Sequence, residues 1–359
     1  MAKLERLPGK TVRLRVQLLD WYTCNRRDLP WRQTSDPYSV WVSEIMLQQT
    51  RVAVVIERYQ AFLKRFPTLH LLALAPVEEV LALWSGLGYY RRAHMLHKAA
   101  QLVAGQYRGV LPATSEELRT LPGIGTYTAA AIASIAHGET VAVVDGNVER
   151  VLSRLSGWGD KSHTGGAAIR RKVEALAAKL VDPHRPGDFN QAMMELGATV
   201  CLPRKPQCFA CPIMGDCKTR GEHKTPPRPK MLSQETAHAL SVRNRRHHGQ
   251  LQREILLEQR PAALTVMPGL WELPTLKEAF FPDEELKMTV RHAIMQVNYS
   301  VRIRTVNEDD ITAMTVRGGK RRWVPLGEVA GIALTGLTRK VLTRAQLLPA
   351  TPTPHERKD

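Results

Sequence analysis

Four cysteines, Cys201, Cys208, Cys211 and Cys217, stand at spacings of x6, x2 and x5 within one short segment. Thiolates so grouped close a tetrahedral zinc site or hold a cubane iron–sulfur cluster, and spacing alone leaves both metals open. Two acids stand out as well. Glu44 lies among Val40, Trp41, Ile45 and Leu47 on a predominantly apolar helix, where an uncompensated carboxylate is costly and its pKa rises. The plainer alternative is a partly exposed helix carboxylate. Asp145 follows the apolar run VAVV and precedes Asn147 and an amphipathic helix, a place where an acid also serves simply as an N-cap.

A third group is a turn, LPGIGTYTAAAIA at 121–133. Proline fixes the approach, Gly123 and Gly125 allow backbone angles and contacts that a Cβ would obstruct, and a helix starts directly afterwards. The amides at that helix start face outward and make an anion site; on a basic chain the natural anion is a nucleic-acid phosphate. A lone Gly-x-Gly is also just a tight helix connection. The small residues of AAAIASIA let two helices approach closely, which favours a helix–turn–helix hairpin spanning about 115–137.

The surrounding elements must position these groups. At 359 residues the chain calls for two domains. From residue 11 to about 217 apolar residues recur at helical spacing. Ser35-Asp36-Pro37 opens one helix, Pro67 closes the next, Gly86 and Gly88 punctuate WSGLGYY, and Thr114 with Glu117 forms a capping-box pattern. The stretch KTRGEHKTPPRPKMLSQE is polar, basic and proline-rich, the composition of an extended linker. These signals predict an all-α domain in 1–220, a linker in 221–235, a smaller α+β domain in 236–348 and a disordered tail in 349–359. Cys24, alone, reads as a buried small hydrophobe.

A formal net charge of +17, from 51 Lys+Arg against 34 Asp+Glu, favours a polyanionic partner. No run of 18 apolar residues occurs and the start MAKLERLPGK lacks the apolar region of a secretory signal, so a soluble intracellular protein without a membrane role is expected.

Taken together, LPGIGTYTAAAIA and VAVVDGNVERVLSR resemble the helix-hairpin-helix, Gly/Pro, Asp motif of the endonuclease III superfamily of DNA glycosylases. The resemblance implies that the hairpin grips backbone phosphate through Gly123 and Gly125 and that Asp145 is catalytic. Lyases of that superfamily carry a lysine near the start of the second hairpin helix, whose amine forms a Schiff base with the sugar. Tyr127 stands there, and a phenol forms no such adduct, so base removal without strand cleavage is expected.

The run RRDLPWRQTSDPYSVWVSEIMLQQTRV is similar to the adenine-removing branch of the superfamily, which acts on adenine paired with 8-oxoguanine. By that resemblance Glu44 protonates adenine N7 and later activates water, and Asp145 stabilises the sugar cation. Arg27, Leu29, Trp31, Tyr127 and Gln191 line the adenine pocket, Asn147 positions water or Asp145, and Gln49 and Tyr89 wedge into the duplex. The cysteine spacing after FNQAMMELGATVC matches that family's [4Fe-4S] loop, with Arg204 and Lys205 bracing phosphate.

Segments LLEQRP, MPGLWELPT and RRWVPLGEVAGIALTGLTRKVL resemble the branch's C-terminal Nudix-like lesion-recognition domain, without the REx2EE helix of a Nudix hydrolase. One stretch departs. Where the branch reads 8-oxoguanine with Phe-Ser-His, Ile294, Met295 and Gln296 stand here, and a methionine sulfur is only a weak acceptor. The expected protein is therefore a multidomain, monomeric, cytoplasmic and nucleoid-associated bacterial glycosylase. Its expected partner is double-stranded DNA with an A:8-oxoguanine or A:G mispair. The competing readings are a mismatch glycosylase of altered opposite-base preference and a non-catalytic lesion-binding protein; the intact Glu44 and Asp145 count against the second.

Overall fold

In the computed structural model, residues 8–158, 166–223, 230–247, 250–294, 296–316 and 318–349 are described. Helical spacing becomes α1 (Pro8–Asn25), α2 (Pro37–Leu47), α3 (Val52–Arg65), α4 (Leu69–Leu74), α5 (Val77–Leu83) and α6 (Arg91–Gln106). There follow α7 (Ser115–Leu118), α8 (Thr126–Ala136), α9 (Gly146–Ser156), α10 (Gly166–Leu180) and α11 (Pro186–Thr199). Their ends have local causes. Asp36 caps α2 by accepting the Ser39 N–H at 2.8 Å, with Pro37 in the first turn. Thr114 accepts the Glu117 N–H at 3.3 Å and donates its hydroxyl to the Glu117 carboxylate at 2.9 Å. None of the helices among the described residues is long and apolar enough to cross a membrane.

The later strands are β1 (Leu232–Leu240), β2 (Val242–His247), β3 (Gln250–Gln259), β4 (Trp271–Glu272), β5 (Leu286–Ile294), β6 (Val297–Thr305) and β7 (Arg321–Pro325). Between and after them lie α12 (Ile311–Met314) and α13 (Gly336–Arg344). One sheet has the order β1-β6-β5, with β1 parallel and β5 antiparallel to β6; the other joins β2-β3-β4 and sets β7 against β3. The chain passes from the first sheet to the second at Ser241, which is fully buried. Val290, Val301 and Ile303 from one sheet meet Ile255, Leu257 and Val324 from the other and Val341 and Leu342 of α13, all essentially without exposure.

Two compact units result. The first takes Met1–Gln49, Phe66–Ala73 and Lys98–Pro227; the second takes Thr50–Arg65, Leu74–His97 and Arg228–Asp359. The first is organised on an apolar core in which Leu18, Tyr22, Leu152, Phe189 and Leu196 are buried and against which Cys201, Cys211 and Cys217 pack. Within the second, α3 packs on α5, and α5 on the short turn Val329–Gly331. The segment between α5 and α6 is bonded to the C-terminal part of the same unit: Tyr90 Oη donates to Leu334 O at 3.1 Å, and Arg339 Nε donates to Ser85 Oγ at 3.0 Å.

Two readings of the sequence are corrected. Cys24 is exposed, because it lies near the end of α1 on the side turned away from the face that buries Leu14, Leu18 and Tyr22. Strand β1 begins at Leu232, within the stretch that composition marks as linker, because Leu232–Leu240 pairs along the whole of β6. Residues 224–229 of that stretch and 350–359 of the tail lie outside the described residues.

Candidate active site

Glu44 sits on α2 with 5% of its surface exposed, flanked on the same helix by buried Val40, Trp41 and Ile45. Burial pushes its carboxyl up from 4.5 to about 7, against the opposing hydrogen bond from Tyr127; the Asp145 charge adds to the rise and the Arg32 charge opposes it. Tyr127, in the first turn of α8, donates its hydroxyl to Glu44 Oε2 at 2.7 Å. Burial, with Glu44 and then Asp145 nearby, drives the phenol well above its ordinary value, so it is a proton donor in hydrogen bonds and not a phenolate. The structure thus rejects the exposed-carboxylate alternative for Glu44 and joins the hairpin helix to the acid.

Asp145 is the N-cap of α9: Oδ1 accepts the Val148 N–H at 2.7 Å. Its other oxygen accepts from Asn147 Nδ2 at 2.9 Å, and Asn147 Oδ1 accepts from Arg150 Nη2 at 2.8 Å. The capping reading and the catalytic reading are therefore compatible, since the cap fixes one carboxylate oxygen and Asn147 orients the other. Gly197 of α11 packs directly on Asn147: a Cβ there would lie 2.5 Å from Asn147 Cβ.

Beside these groups is a network that reading the sequence missed. Glu195 of α11 is 1% exposed and receives Arg27 Nε and Nη2 at 2.7 Å each and Arg32 Nη2 at 2.6 Å. Burial alone would raise Glu195, but the two guanidiniums outweigh it and hold the carboxyl at about 2. Arg32 lies over the Tyr22 ring at 5.5 Å, and Tyr22 Oη donates to Gln191 Oε1 at 3.2 Å. Leu29 and Trp31 are buried around the short turn Pro30–Arg32. Arg27 and Arg32 thus share Glu195 as their counter-charge, and Arg32 leads through the Tyr22 ring to Gln191. The signal was present in FNQAMMELGATVC, an acid on an apolar helix like Glu44.

In the hairpin, Gly123 has φ +78°, the left-handed region that a side chain disfavours. Gly125 differs: it is the extended N-cap of α8 and a Cβ would meet nothing within 4 Å. The packing of the chain does not require that glycine, and a bare Cα there leaves the amides at the start of α8 open to approach. Gln49 follows α2 with φ +56°, a strained conformation of the kind found at functional sites.

The four thiols of Cys201, Cys208, Cys211 and Cys217 line one cavity whose other walls include Leu155, Leu196 and Ile213. Arg154 Nη1 donates to Cys201 Sγ at 3.4 Å and the Arg220 N–H to Cys217 Sγ at 3.5 Å. Four soft donors lining one largely apolar cavity have the chemistry of a sulfur-ligated metal centre. Among the described residues no three His, Cys, Asp or Glu side chains are set to hold a single ion. Burial and the neighbouring thiols push Cys211 up to about 11. Helix α9 holds this loop: Arg150 Nε donates to Cys201 O at 2.8 Å, and buried Arg154 donates to Leu202 O at 2.6 Å and Pro203 O at 2.9 Å. Arg204 and Lys205 are exposed, and the Lys205 amide donates to the Glu222 carboxylate.

Three predicted positions among the described residues belong to the second unit. Tyr89 is half exposed with φ +47°, its ring under Arg92 at 5.7 Å; Arg92 Nη2 donates to Leu87 O at 2.9 Å and Gly88 O at 3.0 Å and so fixes the turn. Ile294 ends β5 and exposed Gln296 lies in the tight turn to β6, with Gln296 O accepting the Leu232 N–H at 2.9 Å. Met295 lies outside the described residues.

Residues 42–183 match the HhH-GPD superfamily base excision DNA repair protein family. The chain is 50% identical over 216 residues to the Homo sapiens protein named adenine DNA glycosylase, covering 57% of this chain and 39% of that protein. To the Arabidopsis thaliana adenine DNA glycosylase it is 38% identical over 325 residues, covering 80% of this chain and 50% of that protein. The chain therefore spans half or less of the length of these curated relatives. A solved structure of a thermostable thymine-DNA glycosylase matches with TM-score 0.53 and 30% identity, over 59% of this chain and 96% of that one. The segment that carries Glu44, the hairpin, Tyr127 and Asp145 lies within the matched region, so residues 42–183 form an HhH-GPD superfamily base excision DNA repair domain, in a chain similar to proteins named adenine DNA glycosylase.

Proposed function

We propose that the chain is a monofunctional DNA glycosylase of base excision repair that hydrolyses the N-glycosidic bond of adenine mispaired with 8-oxoguanine or guanine. The observation that carries this is Glu44: a carboxyl raised to about 7, bonded to Tyr127 and beside Asp145. Glycosidic cleavage asks for that combination, one acid protonated near neutrality and one carboxylate facing an oxocarbenium-like sugar. The adenine must first leave the stack, because its glycosidic bond is inaccessible in the duplex. Glu44 then protonates N7, Asp145 stabilises the cationic sugar as the bond to N9 breaks, and Glu44 takes a proton from the attacking water. Tyr127 in place of a lysine leaves no amine for Schiff-base strand cleavage.

The cysteines are read as ligands of a [4Fe-4S] cluster, which when bound would brace the loop bearing Arg204 and Lys205 against phosphate. The sheet-bearing part is read as a Nudix-like lesion domain, on the resemblance of its segments. Gln296 retains a hydrogen-bonding side chain at the reading turn, but a different one, so preference for 8-oxoguanine over guanine is expected to be weakened. Single-turnover cleavage of A:8-oxoguanine, A:G, A:C, T:G and A:T duplexes, with and without alkali, tests the reading. Release of adenine from the first two, with strand breaks only after alkali, is expected. No adenine release from any duplex would sink the enzyme assignment, and breaks before alkali would sink the monofunctional one.

A further inference from the structure

The hairpin of β2 and β3 runs beyond the body of its sheet. Strand β7 pairs with β3 only from Glu254 to Glu258, whereas β2 pairs with β3 out to His247 and Gln250. Burial changes at the same point: Glu254–Glu258 is buried, Gln250–Arg253 is exposed, and so are Asn244, Arg245 and Arg246 on the other strand. A strand that covers a core on one side buries alternate residues. Here consecutive residues on both strands are exposed, so both faces of the ribbon are open to water.

Its chemistry is one-sided. Between Asn244 and Arg253 the sequence NRRHHGQLQR contains no Asp or Glu. At the base of the ribbon Arg243 is committed to the fold: it pairs with Glu254 at 2.8 Å and with Glu308 and lies 4.1 Å from the Trp323 ring centre. Arg245, Arg246 and Arg253 form no ion pair among the described residues. Register places Arg253, opposite Asn244, on the same face as Arg246, and Arg245 on the other face. A two-stranded ribbon without a covering layer is marginal in water, and unneutralised like charges weaken it further. Its stability would be recovered on a polyanion.

We propose that the β2–β3 ribbon is an arm that binds the phosphate backbone of duplex DNA, using Arg245, Arg246 and Arg253. A major groove admits a two-stranded ribbon, and guanidiniums on both faces reach phosphates on either wall. The identity of the polyanion as DNA rests on the glycosylase reading; the arm itself rests on the ribbon's exposure and charge. Such contact is independent of sequence, as an enzyme that must act in any context requires.

The test is equilibrium binding of the full chain to an undamaged duplex across a salt series, for the wild type, R245Q/R246Q/R253Q and R245K/R246K/R253K. Loss of three phosphate contacts makes the log–log salt slope shallower by about 2 to 3 in the glutamine variant. Equivalently, from about 50 to about 200 mM salt the wild type loses about 40-fold more affinity than that variant. The lysine variant keeps the charge and is expected to keep a slope near the wild type's, which separates charge from any effect on folding. An unchanged slope in the glutamine variant, or the same loss in the lysine variant, overturns the proposal. If the wild type binds the duplex and releases adenine while the glutamine variant keeps its slope, the arm fails and the glycosylase reading stands. If the wild type neither binds nor releases adenine, both fail.

Discussion

Tyr127 donates a 2.7 Å hydrogen bond to Glu44, so the first turn after the hairpin holds the buried acid of α2. Burial nevertheless dominates and lifts Glu44 from 4.5 to about 7. A raised carboxyl favours the neutral form in the folded state, so folding loses stability as pH climbs from the ordinary value, and the loss is complete above about 7. That shift corresponds to about 3 kcal/mol. Glu44→Gln is expected to match the wild type in stability near pH 4 and to exceed it at about pH 8 by up to about 3 kcal/mol, while excision falls by about 10²-fold or more. Urea unfolding at both pH values checks this, and a stability difference that does not change with pH would contradict it.

Tyr127→Phe removes the bond that favours the charged carboxylate. Glu44 then rises further, and the alkaline limb of the single-turnover rate moves to higher pH. A pH profile superimposable on the wild type's would show that the bond does not set the acid. With the wild type, borohydride is expected to trap no protein–DNA adduct.

Glu195→Gln leaves Arg27 and Arg32 without their buried counter-charge. Breaking one side of such a pair costs about 3–5 kcal/mol, less here to the extent that Arg27 reaches solvent. Because Glu195 is held down at about 2, its contribution is present above the ordinary carboxylate range and lost as pH falls through about 2. Thermal melts across the acid range, with affinity for adenine-containing duplex, provide the measurement; an unaltered melt near neutral pH refutes the pairing role.

The two hairpin glycines are expected to separate. Gly123→Ala places a side chain at φ +78° and destabilises the fold by about 1 kcal/mol. Gly125→Ala meets no atom of the chain and leaves the melting temperature unchanged while weakening duplex binding. Equal binding by Gly125→Ala and the wild type would remove the phosphate from that turn.

Iron and sulfide in stoichiometric amounts, with visible absorbance, are expected in the isolated protein. Cys201→Ser is expected to lose them and to lower excision about tenfold or more, since Arg150 joins the Cys201 carbonyl to Asn147. Stoichiometric zinc without iron would overturn the cluster.

The sequence makes legible the chemistry that leaves a local mark. Glu44 betrayed itself as an acid on an apolar helix, Asp145 as an acid at a helix start, and Tyr127 by its place after a Gly-x-Gly turn. Glu195 carries the same mark as Glu44 but needs Arg27 and Arg32, far away along the chain, to give it meaning. Cys24 stands outside the core, because hydrophobicity does not say which face of α1 is covered. Leu232 entered a strand because its partner Val297 lies across a parallel pairing, which composition does not encode. The grouping of α3 and α5 with the later part of the chain was likewise invisible, for it depends on distant contacts such as that of α5 with Val329–Gly331.

Gly197 has no functional group, yet it decides where one stands. The backbone of α11 runs so near Asn147 that a single methyl group at 197 would collide with it at 2.5 Å, and Asn147 in turn orients Asp145. An innocuous Gly-to-Ala exchange there, remote in sequence from either carboxylate, would be a lesion of the proposed reaction centre rather than of the helix that carries it.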